Sequence, residues 1–186
     1  MVIFHDHLEG HLAWEVVDGG IDEEPVIIRE YVDADWSQVW PIVQEVVTAG
    51  ETYAYTPDWT PDEARRTWVE PAPGHTVVAC VGNRIVGTAK TAPNRPGRGA
   101  HVATASFMVP ETARGMGIGR QLGEYILQWA RDAGYAAMQF NAVVETNTGA
   151  VKLWQLLGFR IIGTVPEAFE HPTAGRVGLH IMHRFL

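Results

Sequence analysis

The fold class predicted by the sequence is α/β, and three observations predict it. Apolar runs with strand character alternate with stretches of helical spacing in the order β-α-α-β-β-β-α-β-α-β-β. A glycine-rich stretch, "ARGMGIGRQLG" at 113–123, stands directly between a strand pattern and a helix pattern. With 186 residues, 46% of them apolar and 19% charged, the chain is long enough for one domain with a substantial core.

Residues 1–24 read as an N-terminal extension ending in the acidic turn "GGIDEEP", and 25–186 as a single domain. "PVIIREY" is a strand. Trp36, Val39, Trp40, Val43 and Val47 then recur at helical spacing, with Asp33 or Asp35 as cap and Pro41 placed early in the helix or kinking it. "ETYAYTPDW" is a loop. "TPDEARRTWV" starts a helix, with Thr60 as N-cap, Pro61 in the first turn and Glu63 closing a capping box. "HTVVACV", the turn "GN" and "RIVGTAKT" form a hairpin, "APNRPGRGAH" a loop and "VATASFMV" a strand. Ile118, Leu122, Tyr125, Ile126, Trp129 and Ala133 mark a helix stopped by Gly134. "YAAMQFNAVV" is a strand whose alternation puts Met138, Phe140 and Ala142 on one face and Gln139, Asn141 and Val143 on the other. A short helix runs from Asn147 to Gly158, and "FRIIGTV" and "RVGLHIMHRFL" close the chain as strands.

A net charge of −8 argues against general attraction to nucleic acid or an anionic membrane, so any bound anion needs a local device. The single cysteine, Cys80, lies in an apolar run and reads as a small buried residue. No basic start followed by a long apolar run marks a signal peptide, and no stretch of about 18 apolar residues spans a bilayer. A cytoplasmic protein is expected. His5, His7 and His11 could ligate a metal, but their place in the N-terminal lead-in weighs against it, and no metal is expected.

Glycine is costly to order, so three glycines at 115, 117 and 119 need a reason. A helix N-terminus presents unpaired N–H groups and a partial positive charge. Bare backbone there lets those groups approach phosphate oxygens, with Arg114 and Arg120 on either side. A tight strand-to-helix turn with no ligand is the plainer alternative. A P-loop is excluded, because Gly119 is followed by Arg-Gln. The dinucleotide pattern G-x-G-x-x-G also fails, its last glycine falling on Leu122 or Arg120.

Arg114, Gly117 and Gly119 do fill the pattern Arg/Gln-x-x-Gly-x-Gly/Ala, which resembles the pyrophosphate loop of the Gcn5-related N-acetyltransferases (GNAT). A second stretch, "NTGAVKLWQLLGF", is similar to that family's Asn-x-x-Ala-x-x-Leu-Tyr-x-x-x-Gly-Phe through Asn147, Ala150, Leu153, Gly158 and Phe159. The resemblance implies a mixed, centrally splayed sheet flanked by helices, open between the strands at 102–109 and 135–144. It implies acetyl-CoA as co-substrate. The arm of acetyl-CoA would run along the main chain at Met108 and Val109, and its pyrophosphate would lie on the amides from Gly115 through Met116, Gly117, Ile118 and Gly119 to Arg120. Asn147 reads first as the helix cap, and a contact to the cofactor arm or the substrate, as the resemblance implies, is compatible with that.

For the chemistry, the amine must lose a proton before it attacks, and Glu51 is the first candidate base, ahead of His101 and Glu145. The Val109 N–H is the resemblance-based donor to the oxyanion. The family's usual acid, a tyrosine, is replaced by Trp154, whose indole donates a hydrogen bond but is no acid; Tyr53 or Tyr55 are possible substitutes. A narrower likeness joins the chain to a subgroup that includes the yeast acetyltransferase acting on azetidine-2-carboxylate, through "AGETYAY", the Asn141/Asn147 pair and Trp154; Thr104 stands where that subgroup commonly has asparagine. Tyr53, Thr104, Asn141 and Trp154 are the expected acceptor-side residues. The expected partner is a small-molecule amine, with a homodimer in view. The alternatives are transfer to a protein or peptide amine and a non-catalytic acetyl-CoA sensor.

Overall fold

The computed structural model describes residues 24–186, which form one seven-stranded sheet with helices on both faces. The elements are β1 (Val26–Glu30), α1 (Trp36–Ala49), α2 (Pro61–Trp68), β2 (His75–Val81), β3 (Arg84–Pro93), β4 (Val102–Met108), α3 (Ile118–Asp132), β5 (Ala137–Val144), α4 (Thr148–Leu156), β6 (Arg160–His171) and β7 (Gly175–Phe185), with single 3-10 turns at Asp33–Asp35, Gly97–Gly99 and Glu111–Ala113. The strands lie in the order β1-β2-β3-β4-β5-β7-β6, and the mixed sheet flanked by helices agrees with the α/β reading.

Most neighbours pair antiparallel over five or more residues. The exception positions the site. β4 and β5 are parallel and pair only at Val102↔Ala137 and Ala103↔Met138. Beyond Ala103 they diverge, leaving a cleft in the middle of the sheet.

Two cores lie on opposite faces. Val77, Ala79, Ala103, Met138, Phe140 and Met182 pack against Ile118, Leu122 and Ile126 of α3 and Trp154 of α4. Val78, Cys80, Ile85 and Met108 pack against Val39, Val43 and Val47 of α1 and Trp68 of α2. The helix starts follow their sequence signals. Thr60 caps α2 through its hydroxyl while Glu63 reaches back to the Thr60 N–H at 2.8 Å. Asp35 caps no α1 amide. Its carboxylate instead takes the Val32 N–H at 2.8 Å and a bidentate pair from Arg29, each contact 2.7 Å, so it fastens β1 to the 3-10 turn before α1. Pro41 sits inside α1 on its exposed side.

Two strands depart from the sequence reading. A bulge in β5 puts one extra residue between Phe140↔Met182 and Val143↔His180. The alternation therefore holds only as far as Asn141. Val143 turns to the α3–α4 face, where it packs on that core, instead of joining Asn141. β6 continues six residues past Val165, through Pro166, to His171. A second irregularity between Val165 and Phe169 absorbs the proline, with Glu167 at φ 52°.

Candidate functional site

The cleft between β4 and β5 opens into a cavity of about 970 Å³. Of the sequence-predicted residues, Glu51, Tyr53, Thr104, Met108, Val109, Arg114, Gly115, Gly117, Ile118, Gly119, Arg120, Asn141, Asn147 and Trp154 all stand on its wall. Met116 has its side chain outside that wall, 45% exposed. His5, His7 and His11 fall outside the described residues. Of the other base candidates, neither His101 nor Glu145 lines the cavity. The His101 ring meets the Arg98 carbonyl at 3.2 Å, and the Glu145 carboxylate accepts the Gly178 N–H.

One end of the cavity is backbone. Gly117, at φ 74°, is the N-cap of α3 and turns the chain so that the first amides of the helix face outward. Among the described residues, the N–H groups of Gly115, Gly117, Ile118, Gly119 and Arg120 have no backbone partner, whereas Arg114, Met116 and Gln121 donate theirs to Glu111, Ala113 and Gly117. A Cβ built on Gly115 or Gly117 would meet nothing within 4 Å. The space in front of these amides is therefore open, and the glycines serve it by their conformation and bareness. Such a nest suits the oxygens of a diphosphate. The flanking arginines are already engaged: Arg114 pairs with Glu111 at 2.6 Å and Arg120 with Glu124 at 2.8 Å.

The middle of the cavity is the free edge of β4. The Tyr53 hydroxyl donates to the Phe107 carbonyl at 2.8 Å and accepts the Phe107 N–H at 2.9 Å. Both polar groups of Phe107 thus face the cleft, and by strand alternation those of Val109 do too. The Val109 N–H has no backbone partner among the described residues. Burial drives the Tyr53 phenol well above its ordinary pKa, with its bond to Phe107 opposing; burial, with Glu70 adding to it, raises Tyr55. Neither tyrosine is a ready acid. Trp154 is 7% exposed and packs on Phe107 and Phe140 with ring centroids 4.7 and 4.9 Å apart, so it builds the cavity floor. Asn147 caps α4, its Oδ1 accepting the Ala150 N–H at 3.2 Å.

The other end is polar, with Glu51 as its carboxylate. Thr104, Ser106 and Asn141 face the α1–α2 side, opposite Phe107 and Phe140. Glu51 stands exposed where the chain leaves α1. His171 and Phe169, at the tip of the β6–β7 hairpin, complete the wall, and sequence reasoning missed both. The His171 Nδ1 accepts the N–H groups of Thr173 and Ala174, each at 3.2 Å. With Nδ1 accepting, Nε2 is the ring nitrogen left to donate.

A sheet parted beside a glycine-built amide nest has the shape and the donors of a site for an extended, phosphate-bearing molecule. The acetyltransferase (GNAT) family matches residues 36–159, and the chain belongs to that family. It is similar to a solved Gcn5-related N-acetyltransferase from Kribbella flavida, with 56% identity, a TM-score of 0.84, and coverage of 87% of this chain and 98% of that one. Among curated proteins it is 41% identical over 76 residues to Protein SPT10 of Saccharomyces cerevisiae and 34% identical over 84 residues to N-acetyltransferase aca1 of Schizosaccharomyces pombe. Those stretches span 41% and 45% of this chain, but 12% of SPT10 and 40% of aca1.

Proposed function

We propose that this acetyltransferase moves the acetyl group of acetyl-CoA to the amine of a small acceptor of the amino-acid class. The carrying observation is the alignment of a free strand edge with five unpaired amides at one end of a single cavity. Acetyl-CoA supplies a thioester, an acyl donor whose thiolate leaves readily near neutral pH. The amides of Gly115, Gly117, Ile118, Gly119 and Arg120 hold the diphosphate without relying on net charge, which is −8. The main-chain groups of Val109 face the cleft and meet the peptide-like arm as an added strand would. Those of Met108 point to Thr88 of β3, so Met108 lines the cleft without offering it main-chain groups. The Val109 N–H donates to the oxyanion of the tetrahedral intermediate. Asn147 fixes the start of α4 against the cavity.

Glu51 takes the amine proton, directly or through a water. It is the carboxylate on the cavity wall, and the His171 ring presents a donor there. With Trp154 and two phenols of raised pKa around the cleft, the thiolate departs without an acid and the rate rests on positioning. Thr104, Ser106, Asn141 and His171 give hydrogen-bonding groups for a carboxylate or carbonyl on the acceptor. Of this set, Asn141 belongs to the likeness to the yeast azetidine-2-carboxylate enzyme, and Thr104 departs from it.

A thiol-release assay with acetyl-CoA tests the reading against amino acids, cyclic imino acids, polyamines and short peptides. Release is expected with small amino or imino acids. Failure to bind acetyl-CoA in calorimetry, or release with peptides alone, overturns it.

A further inference from the structure

Asn141 occupies the bulge of β5, between the paired residues Phe140 and Val143. A bulge frees a residue from the ladder, so the backbone alone no longer fixes where its side chain points. Two other amides do. The Asn141 Nδ2 donates to the Asn94 Oδ1 at 2.6 Å, and its Oδ1 accepts from the Gln139 Nε2 at 2.9 Å. Asn94 follows β3, two strands away from β5, and its side chain reaches over β4 on the cleft side. Its own backbone N–H is held by the Val102 carbonyl at 2.8 Å, so the reach starts from a fixed point.

We infer that Asn94 is a positioning residue for acceptor recognition. It holds the Asn141 amide in one orientation, with one N–H and one oxygen lone pair left for the ligand. The Asn94–Asn141 bond also spans the point where β4 and β5 part. The inference rests on the reading that the acceptor meets Asn141.

The chemistry of the contact makes it separable from a merely structural role. Asn94 acts here as an acceptor, so Asn94→Asp keeps the bond while Asn94→Ala removes it. The backbone bond to Val102 survives in both.

The test uses the full chain, acetyl-CoA and azetidine-2-carboxylate as the acceptor probe. Asn94→Ala is expected to raise the acceptor KM roughly tenfold, the worth of one well-placed hydrogen bond, with kcat and the KM for acetyl-CoA within about twofold. Asn94→Asp is expected to restore the parent KM. In a nitrogen-edited spectrum the Asn141 side-chain N–H signal should move in Asn94→Ala and stay in Asn94→Asp, whatever the acceptor. Unchanged KM and spectrum in Asn94→Ala overturn the inference, as does equal impairment in both variants. Asn141→Ala separates the two levels: if it leaves the acceptor KM unchanged, the acceptor reading fails, whereas a large effect there beside a silent Asn94→Ala fails the inference alone.

Discussion

Gly117 holds φ at 74°, and nothing lies within 4 Å of the place its Cβ would take. These two facts separate two substitutions. Gly117→Ala pushes a side chain into the left-handed region at a cost of about 1 kcal/mol, which thermal unfolding will register. Gly117→Asp adds to that strain a carboxylate directly before the amide nest, where it repels a diphosphate. Its dissociation constant for coenzyme A, measured by calorimetry, should rise by about a hundredfold, or about 2.7 kcal/mol. Residue-level chemistry of this kind was legible in the sequence because it is local: a glycine, a helix start and a cap lie within a few positions of each other. Tyr53 was legible only as an aromatic near the site. Its two hydrogen bonds with Phe107 join residues 54 positions apart, and nothing in either neighbourhood announces them.

The α3–α4 contact depends on a missing side chain. A Cβ on Gly123 would stand 2.6 Å from Leu157 Cδ1 and 3.2 Å from Trp154 Cζ3. Leu157 ends in a flexible methyl that can turn away, and alanine gains about 1 kcal/mol of helix propensity over glycine. Gly123→Ala should therefore be close to neutral. The two further methyls of Gly123→Val must push the Trp154 ring well beyond the few tenths of an ångström that a lone Cβ asks of it, and should lower stability by about 2–3 kcal/mol in urea unfolding. Element order and most boundaries could be read from the sequence, since period and turn residues specify them. The hairpin tip could not. Pro166 argues against a strand, and only the irregular stretch between Val165 and Phe169 lets β6 carry on to His171. With that extension lost to view, Phe169 and His171 went unnoticed as wall residues, although the pattern Phe169-x-His171 before the turn "PTAG" is a weak strand-and-turn signal. The β5 bulge had no such signal, and it alone reverses the side on which Val143 packs.

Over the whole molecule, acid should weaken the fold in two windows. Burial lowers the pKa of His75, opposed by Glu30 at 3.8 Å, and its ring stacks on Trp129 with centroids 4.7 Å apart. The unfolded chain takes that proton near pH 6.5, so this part of the stability is complete above about 6.5 and declines as the pH falls toward the folded value. Asp35 is held below its ordinary pKa by Arg29 first and by the Val32 N–H, with burial opposing. Its share is complete above about pH 4 and is lost as the pH falls through the folded value. Urea midpoints from pH 8 to 3 should show both declines. His75→Phe should remove the upper one. Asp35→Asn should shrink the lower one, to which Glu63 also contributes through its bonds to Thr60, and cost about 2 kcal/mol at neutral pH. The parted sheet carries a different consequence, which the Tyr53 hydroxyl brings out. An unpaired strand edge is an adhesive surface on which another chain can build a sheet. By occupying both polar groups of Phe107, one phenol keeps the interior edge of β4 from serving as such a template before any co-substrate arrives, so the protein carries the opening its chemistry needs without becoming a seed for aggregation.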